Sequence, residues 1–161
     1  VGLALAEHMG LAFVETDAMI EERAGMTIAE IFDRKGEAAF RELESEVVRE
    51  VSVSKGAVIA CGGGVPLRDD NVEALRDNTV VVYLDVTAEK VIDRLGPPSN
   101  LRPLLSGPDR EEHARELLAA RRPQYVQAAD IVVDSDELTV EQIVTTVDAL
   151  LKDYERTHSQ E

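Results

Sequence analysis

The stretch "AVIACGGGVPLRDDNVEAL", residues 57–75, places three consecutive glycines between an apolar, strand-like run and a helix-like run. Glycine has no Cβ, so a run of glycines lets another group come close to the backbone. A tight strand-to-helix turn is the alternative interpretation, although such a turn rarely needs three glycines. A phosphate-binding P-loop would need G-x-x-x-x-G-K followed by Ser or Thr, and the sequence contains no such string. The triplet Gly62–Gly64 therefore predicts close approach of a ligand other than a nucleotide phosphate.

Outward from this stretch, apolar runs alternate with amphipathic runs along the chain. Val/Ile-rich runs without polar alternation are typical of parallel strands that helices cover on both faces. The predicted strands are residues 11–17, 57–62, 79–86 and 130–136, and the predicted helices are residues 1–10, 27–51, 67–78, 87–96, 110–129 and 139–158. The pattern predicts an α/β fold with a Pro/Gly-rich loop at residues 97–109.

Composition bounds the class of protein. The chain has 161 residues and 44% hydrophobic content, which suits one domain with one core. Its formal net charge of −15 disfavours DNA or RNA as a partner, because phosphate backbones attract basic surfaces. No apolar run approaches the roughly 20 residues that span a bilayer, and the single cysteine, Cys61, can form no intramolecular disulfide. We expect a soluble, cytoplasmic protein with a buried Cys61 thiol and no membrane partner.

Two carboxylates lie at the carboxyl end of the first predicted strand, where ligands bind in open α/β sheets. Glu15 and Asp17 are two residues apart, so on an extended chain both side chains point the same way. One can position a hydroxyl group while the other holds a hydrated metal ion. Capping of a following helix by Asp17 is the alternative interpretation.

Arginine lies beside apolar or turn residues in "AFRELE", "DRLG", "NLRPLL" and "AARRPQY". At such positions a positive charge normally needs an anionic partner. For Arg41 the alternative is a surface ion pair with Glu44 at i+3, and for Arg121 it is a favourable charge near a helix C-terminus. The residues by themselves leave these alternatives open.

Five strings in this order and at these spacings resemble the shikimate kinase family: "VETDAMIEERAGMTIAEIF", "GEAAFRELE", "ACGGGVPLR", "LRPLL" and "RRPQY". The resemblance covers nearly all of residues 1–151. It implies the P-loop kinase fold, a three-layer α/β/α arrangement around a parallel sheet, with a lid loop near residues 96–110. It also implies ATP-dependent phosphorylation of the 3-hydroxyl of shikimate, a step toward chorismate and the aromatic amino acids. Mg²⁺ is the implied cofactor, and family members are commonly monomers.

The resemblance connects the stray arginines and Asp17 with shikimate. Asp17 matches the acid that holds the shikimate hydroxyls and receives or orients the departing proton. Arg41 and Arg121 match two arginines that grip the substrate carboxylate, and Glu44 matches the residue that orients the first of them. Gly62–Gly64 then let shikimate contact the backbone.

Three further residues match the nucleotide side of the family's site. Arg102 in "LRPLL" matches the lid arginine that reaches the transferred phosphoryl group, with a solvated loop arginine as the alternative. Arg94 aligns with the arginine that stacks on the adenine of ATP. Glu15 stands where the family has Asp as an outer-sphere Mg²⁺ ligand, which is a departure from the pattern.

A second departure lies at the start of the chain, where Val1 and Gly2 align just after the family's P-loop. The resemblance therefore implies an N-terminally truncated domain that lacks the central strand and the P-loop, and we expect such a chain to be inactive. One alternative is a non-catalytic relative that binds shikimate or a partner. Another is a different small-metabolite kinase of the same group, for example one acting on gluconate, although the paired arginines and the glycine triplet favour shikimate.

Overall fold

The structure, a computed structural model, describes residues 1–95 and 109–158. In this part of the chain the strands are β1 Ala12–Glu15, β2 Ala57–Ala60, β3 Val82–Asp85 and β4 Ile131–Asp134. The helices are α1 Gly2–Met9, α2 Thr16–Ala24, α3 Ile28–Ser52, α4 Asp69–Arg76, α5 Ala88–Leu95, α6 Arg110–Ala128 and α7 Val140–His158. No helix among the described residues is both long enough and apolar enough to cross a membrane.

The four strands form two parallel, two-stranded sheets. β1 pairs with β2, from Ala12 opposite Ala57 to Glu15 opposite Ala60. β3 pairs with β4 in the same way, and within the described residues no strand joins β2 to β3. The parallel α/β arrangement predicted from the apolar runs is confirmed, and it is divided between two short sheets.

Helices lie on both faces of β2, which makes the structure three layers deep. Val58 packs into a core formed by α1, β4 and α7, whose buried members are Leu5, Ile131, Val133, Ile143, Val144 and Val147. The next residue, Ile59, packs into a core formed by α2 and α3, whose buried members are Ile20, Ile31, Phe40, Val47 and Val51. Since successive strand residues point to opposite faces, these two contacts place helices above and below the strand.

The first strand ends earlier than the sequence predicts, because the chain turns into α2 at Thr16. Asp17 therefore lies in the first turn of a helix that was not predicted, and the extended geometry expected for Glu15 and Asp17 is wrong. The alternative in which Asp17 caps the helix is also wrong, since Glu15 is the N-cap residue and makes no side-chain capping bond. β1 is more exposed than a strand covered on both faces, with Ala12, Phe13 and Glu15 open to solvent.

The helix-capping residues in the sequence correctly predict where α3 and α7 begin and where α1 ends. Thr27 and Glu30 form the capping box that begins α3, each side chain accepting a hydrogen bond from the other residue's backbone N–H. Thr139 and Gln142 make the same reciprocal pair before α7. Gly10 ends α1 in the left-handed conformation, at φ 68°.

Gly36 bends α3 where its backbone leaves helical geometry, at φ 81° and ψ 169°. Only glycine adopts this region without strain, so Gly36→Ala should lower the free energy of unfolding by about 2 to 3 kcal/mol. A Cβ at Gly36 would meet no atom within 4 Å, and the same holds at Gly25, which has an ordinary left-handed φ of 65°. Gly25→Ala is therefore the matched control, with an expected loss of about 1 kcal/mol. Urea unfolding followed by circular dichroism measures both, and equal losses would contradict the assignment of special strain to Gly36.

Candidate active site

The glycine triplet forms a turn at the carboxyl end of β2, leading into a 3₁₀ turn at Val65–Leu67. Its start is fastened to the neighbouring element by Thr16, whose side chain is fully buried. The Thr16 hydroxyl donates to the Ala60 carbonyl at 3.3 Å and accepts from the Gly62 N–H at 3.1 Å. Thr16 thus ties the end of β2 to the beginning of α2 and fixes where Asp17 lies relative to the turn.

Each glycine of the turn faces a different functional side chain. A Cβ on Gly62 would lie 2.8 Å from Asp17 Oδ1 and 3.4 Å from Glu44 Oε1. A Cβ on Gly63 would lie 3.2 Å from the Tyr125 hydroxyl and 3.7 Å from Arg121 Nη1.

The third glycine, Gly64, is the most confined, because a Cβ there would lie only 2.5 Å from Arg41 Cζ. The turn therefore brings together Asp17, Arg41 and Arg121, which come from three different helices. This convergence explains Gly62 and Gly64, where a Cβ would clash with Asp17 or Arg41, while a Cβ on Gly63 would crowd the Tyr125 hydroxyl.

Arg41 is held by carboxylates on its own helix, α3. Its Nη1 donates to Glu44 Oε2 at 2.8 Å and its Nη2 donates to Glu37 Oε1 at 3.3 Å. The Glu44 side chain is 1% exposed and that of Arg41 is 18% exposed, so this pair is largely shielded from water. The ion pair of Arg41 with Glu44 is therefore present, but it is not the surface pair of the alternative interpretation, and it orients the guanidinium toward the glycine turn.

Burial raises the pKa of Glu44, although the Arg41 hydrogen bond acts in the opposite direction. The nearby charge of Asp17 adds to the rise, and that of Arg121 opposes it. Burial also disfavours the charged form of Arg41, but the contacts with Glu44 and Glu37 outweigh it, so the Arg41 pKa lies above its ordinary value. The site thus concentrates two carboxylates and two guanidiniums within mutual electrostatic reach.

Tyr125 is a site residue that sequence reasoning missed, although it ends the quoted string "RRPQY". Its hydroxyl donates to the Gly63 carbonyl at 2.7 Å. Arg121 lies one helical turn earlier on α6, so both side chains reach the glycine turn from the same face of the helix. Because α6 continues to Ala128, Arg121 is in the helix interior, and the alternative of a C-terminal helix charge is wrong.

Glu15 is exposed at the end of β1, and the structure separates it from Asp17 by the start of α2. Within residues 1–95 and 109–158 no group of three or more His, Cys, Asp or Glu residues could hold a metal ion. Glu15 by itself offers one carboxylate, a donor set that fits a contact with hydrated Mg²⁺ through water and no more.

Arg94, in the last turn of α5, is anchored to the loop after β4. Its Nη2 donates to the Ser135 carbonyl at 2.6 Å and to the Asp136 carbonyl at 3.4 Å. A guanidinium that donates along its edge can still stack through its face, so this geometry is compatible with an adenine neighbour. Arg102 and most of the predicted lid loop lie outside the described residues.

A cavity of about 370 Å³ opens beyond β3 and β4, between α5 and α6. None of the described residues predicted to bind shikimate or ATP lines it. Its charged lining residues are Asp85, Glu89, Arg115, Arg122, Asp134 and Asp136. Both arginines already pair with carboxylates, Arg122 with Asp85 at 2.5 Å and Arg115 with Glu89 at 2.8 Å. Four carboxylates and two arginines, each arginine paired with a carboxylate, give this cavity a net negative lining.

Cys61 precedes the glycine turn, and its predicted burial is wrong for the residue as a whole, which is exposed. Burial of the thiol itself, followed by the charges of Glu44 and Asp17, nevertheless raises the pKa of Cys61 from 9.0 to about 11. Thiolate is the reactive form, so alkylation by iodoacetamide at pH 8 should be about 100-fold slower in the folded chain than in the urea-unfolded chain. Mass spectrometry of timed samples measures both rates, and equal rates would contradict the raised pKa.

Comparisons with known proteins agree on one family. The family described as Shikimate kinase matches residues 1–152. A shikimate kinase of Symbiobacterium thermophilum is 45% identical over 148 residues, which cover 91% of this chain and 85% of the relative. One of Mycobacterium avium is 46% identical over 136 residues, covering 84% and 76%.

Solved structures give the same result. A shikimate kinase from Acinetobacter baumannii in complex with shikimate superposes with a TM-score of 0.90 at 32% identity, over 96% of this chain and 86% of that one. A shikimate kinase from Bacteroides thetaiotaomicron gives a TM-score of 0.82 at 34% identity, over 94% and 89%. The predicted P-loop kinase fold is confirmed. The comparisons do not confirm the expected truncation or an inactive chain, and they show that this chain belongs to the shikimate kinase family.

Proposed function

We propose that this protein transfers a phosphoryl group from ATP to the 3-hydroxyl of shikimate, giving shikimate 3-phosphate on the route to chorismate. The observation that carries the proposal is the convergence of Asp17, Arg41 and Arg121 on the glycine turn Gly62–Gly64. The guanidiniums of Arg41 and Arg121 beside the carboxylate of Asp17 suit a small acid that also carries hydroxyl groups. The shikimate-bound relative from Acinetobacter baumannii, which has the same fold, supports this choice of substrate.

Arg41 and Arg121 hold the shikimate carboxylate in this proposal. A planar guanidinium presents paired N–H donors that match the two oxygens of a carboxylate. Arg41 is already fixed by Glu44 and Glu37, so it loses little conformational freedom when substrate binds. Arg121 approaches the turn from α6, and the two cations together offset the cost of desolvating the substrate's charge.

Asp17 holds the reacting hydroxyl and accepts its proton. The hydroxyl oxygen forms the new bond to phosphorus while the bond to the bridging oxygen of the leaving ADP breaks, and the hydroxyl proton passes to the Asp17 carboxylate. The Thr16 hydrogen bonds at 3.1 and 3.3 Å hold the start of α2 against the turn, so that Asp17 is positioned before substrate arrives.

ATP supplies the phosphoryl group, and three residues are proposed for its side of the site. Arg94 stacks on adenine, with its edge held by the backbone of Ser135 and Asp136. Arg102 neutralises charge on the transferred group, and Glu15 contacts hydrated Mg²⁺ through water. A monomeric enzyme is proposed on the resemblance to the family alone.

The proposal is tested first by binding. Isothermal calorimetry of the 161-residue chain should detect shikimate and should detect gluconate far more weakly, because an open-chain acid loses more conformational freedom on binding than a ring does. Arg121→Lys should weaken shikimate binding and leave ATP binding nearly unchanged, since a point charge replaces the paired donors. Stronger binding of gluconate than of shikimate would instead favour the small-metabolite kinase alternative.

Phosphoryl transfer is then measured as shikimate-dependent release of ADP. The assay uses two forms, the 161-residue chain and the same chain with a strand and a G-x-x-x-x-G-K-S/T loop added before Val1. Activity in either form supports the proposal. Shikimate binding without transfer in both forms would favour the non-catalytic alternative and overturn the assignment of kinase activity.

A further inference from the structure

The glycine turn and α6 are joined by one side-chain hydrogen bond whose position suggests a role in substrate binding. The Tyr125 hydroxyl donates to the Gly63 carbonyl at 2.7 Å, and Arg121 Nη1 would lie 3.7 Å from a Cβ on that same glycine. Within the turn, the carbonyls of Gly62 and Gly64 accept from the backbone N–H groups of Val65 and Leu67. The Gly63 carbonyl instead accepts from a side chain that belongs to the helix carrying Arg121.

The Tyr125 ring is itself held in place from β3. It packs against the Tyr83 ring with 5.3 Å between centroids and 51° between planes. The Tyr83 hydroxyl donates to Asp85 Oδ1 at 3.0 Å, at the carboxyl end of β3. The chain of contacts from β3 through Tyr83 and Tyr125 to Gly63 therefore sets the distance between α6 and the turn.

We propose that Tyr125 is a positioning residue for shikimate, acting through Arg121. This inference rests on the proposed function. Two guanidiniums grip one carboxylate only when their separation is held to about 0.5 Å. Arg41 is fixed within α3 by Glu44 and Glu37, whereas Arg121 depends on the placement of α6 against the turn. The Tyr125 hydroxyl supplies that placement one helical turn away from Arg121.

The test removes only the hydroxyl. Tyr125→Phe keeps the ring contact with Tyr83, and we expect the Kd for shikimate to rise about 3- to 10-fold, the effect of one hydrogen bond. The Kd for shikimate methyl ester, which has no carboxylate for the arginines to grip, should change by less than about 2-fold. The ratio of the Kd for the ester to the Kd for shikimate should therefore fall. A purely structural role of Tyr125 would leave this ratio unchanged. Calorimetry is run well below the melting temperature of each variant.

Tyr154→Phe is the matched control, because Tyr154 is also half-buried on a long helix but stacks against His158 in α7. It should leave both Kd values unchanged. A double-mutant cycle of Tyr125→Phe with Arg121→Lys should give non-additive losses, since the hydroxyl acts through the arginine.

Three outcomes would overturn the inference. In the first, Tyr125→Phe binds shikimate as tightly as the wild-type chain. In the second, acid and ester lose affinity equally, or the losses in the double-mutant cycle simply add. In the third, the wild-type chain binds no shikimate, which overturns the proposed function and this inference together. The first two leave the proposed function intact.

Discussion

Gly64→Ala should weaken shikimate binding by roughly 10- to 150-fold, the range expected when a hydrogen-bonded charged group loses its place. The backbone of Gly64 is ordinary, at φ −89° and ψ −17°, so alanine is not excluded by strain. The added Cβ would instead lie 2.5 Å from Arg41 Cζ and displace the guanidinium. Arg41 cannot move without breaking its bonds to Glu44 and Glu37, and the substrate carboxylate would then lose one of its two partners.

Gly56→Ala provides the control for this prediction. Gly56 precedes β2 at φ 70°, so alanine there is strained, but a Cβ would meet nothing within 4 Å. It should lower the melting temperature and leave shikimate affinity unchanged. Calorimetric Kd values and thermal melts of the two variants separate the effects. A Gly64→Ala chain with wild-type affinity would show that Arg41 does not contact the substrate.

Local signals in the sequence were sufficient for most helices and for the parallel arrangement, but they failed at α2. Its first turn has no side-chain cap, and only two of its residues, Thr16 and Ile20, are fully buried. A short helix with neither a cap nor an apolar stripe looks like a continuation of the preceding strand. The contact that stabilises its start, Thr16 with Ala60 and Gly62, joins residues more than 40 positions apart. No local pattern encodes such a contact.

The pattern of apolar residues also does not predict that the strands divide into two sheets. An apolar run predicts a strand, but it does not say which strand lies beside it, because the paired residues of parallel strands are far apart in the sequence. Ala12 lies opposite Ala57, and Val82 lies opposite Ile131. The apolar runs therefore predicted that strands exist, while the pairing of β1 with β2 and of β3 with β4 needed the structure.

At the candidate site, the sequence indicates which charged side chains need a partner of opposite charge, and the structure shows which groups they contact. Arg41 was ambiguous between an ion pair and a ligand contact, and the structure shows that the ion pair with Glu44 aims it at the turn. Tyr125 carried one weak signal, its spacing of four residues from Arg121, which places both on one face of a helix. A tyrosine at that spacing is more often a packing residue, so the signal could not be used before the glycine turn was seen beside it.

Asp17→Asn should lower kcat by about 100- to 10,000-fold, the range for loss of a general base, with a much smaller change in the KM for shikimate. The carboxamide is nearly the same size and can still hydrogen-bond the substrate hydroxyl, but it is a poor proton acceptor. Asp17 Oδ1 lies 2.8 Å from the position that a Cβ on Gly62 would occupy, so the carboxylate borders the glycine turn. The loss should therefore appear in turnover and not in binding.

Asp69→Asn is the control, because Asp69 also lies in the first turn of a helix, α4, and is exposed outside the site. Asp69→Asn should leave kcat and KM unchanged, measured in whichever of the two forms of the chain transfers the phosphoryl group. If Asp17→Asn kept full turnover, Asp17 would be removed from the mechanism. If it raised KM and left kcat alone, Asp17 would be a binding group only, and the proton would have to leave by another route. A large fall in kcat at nearly constant KM is the result that distinguishes a proton acceptor from a hydrogen-bonding partner.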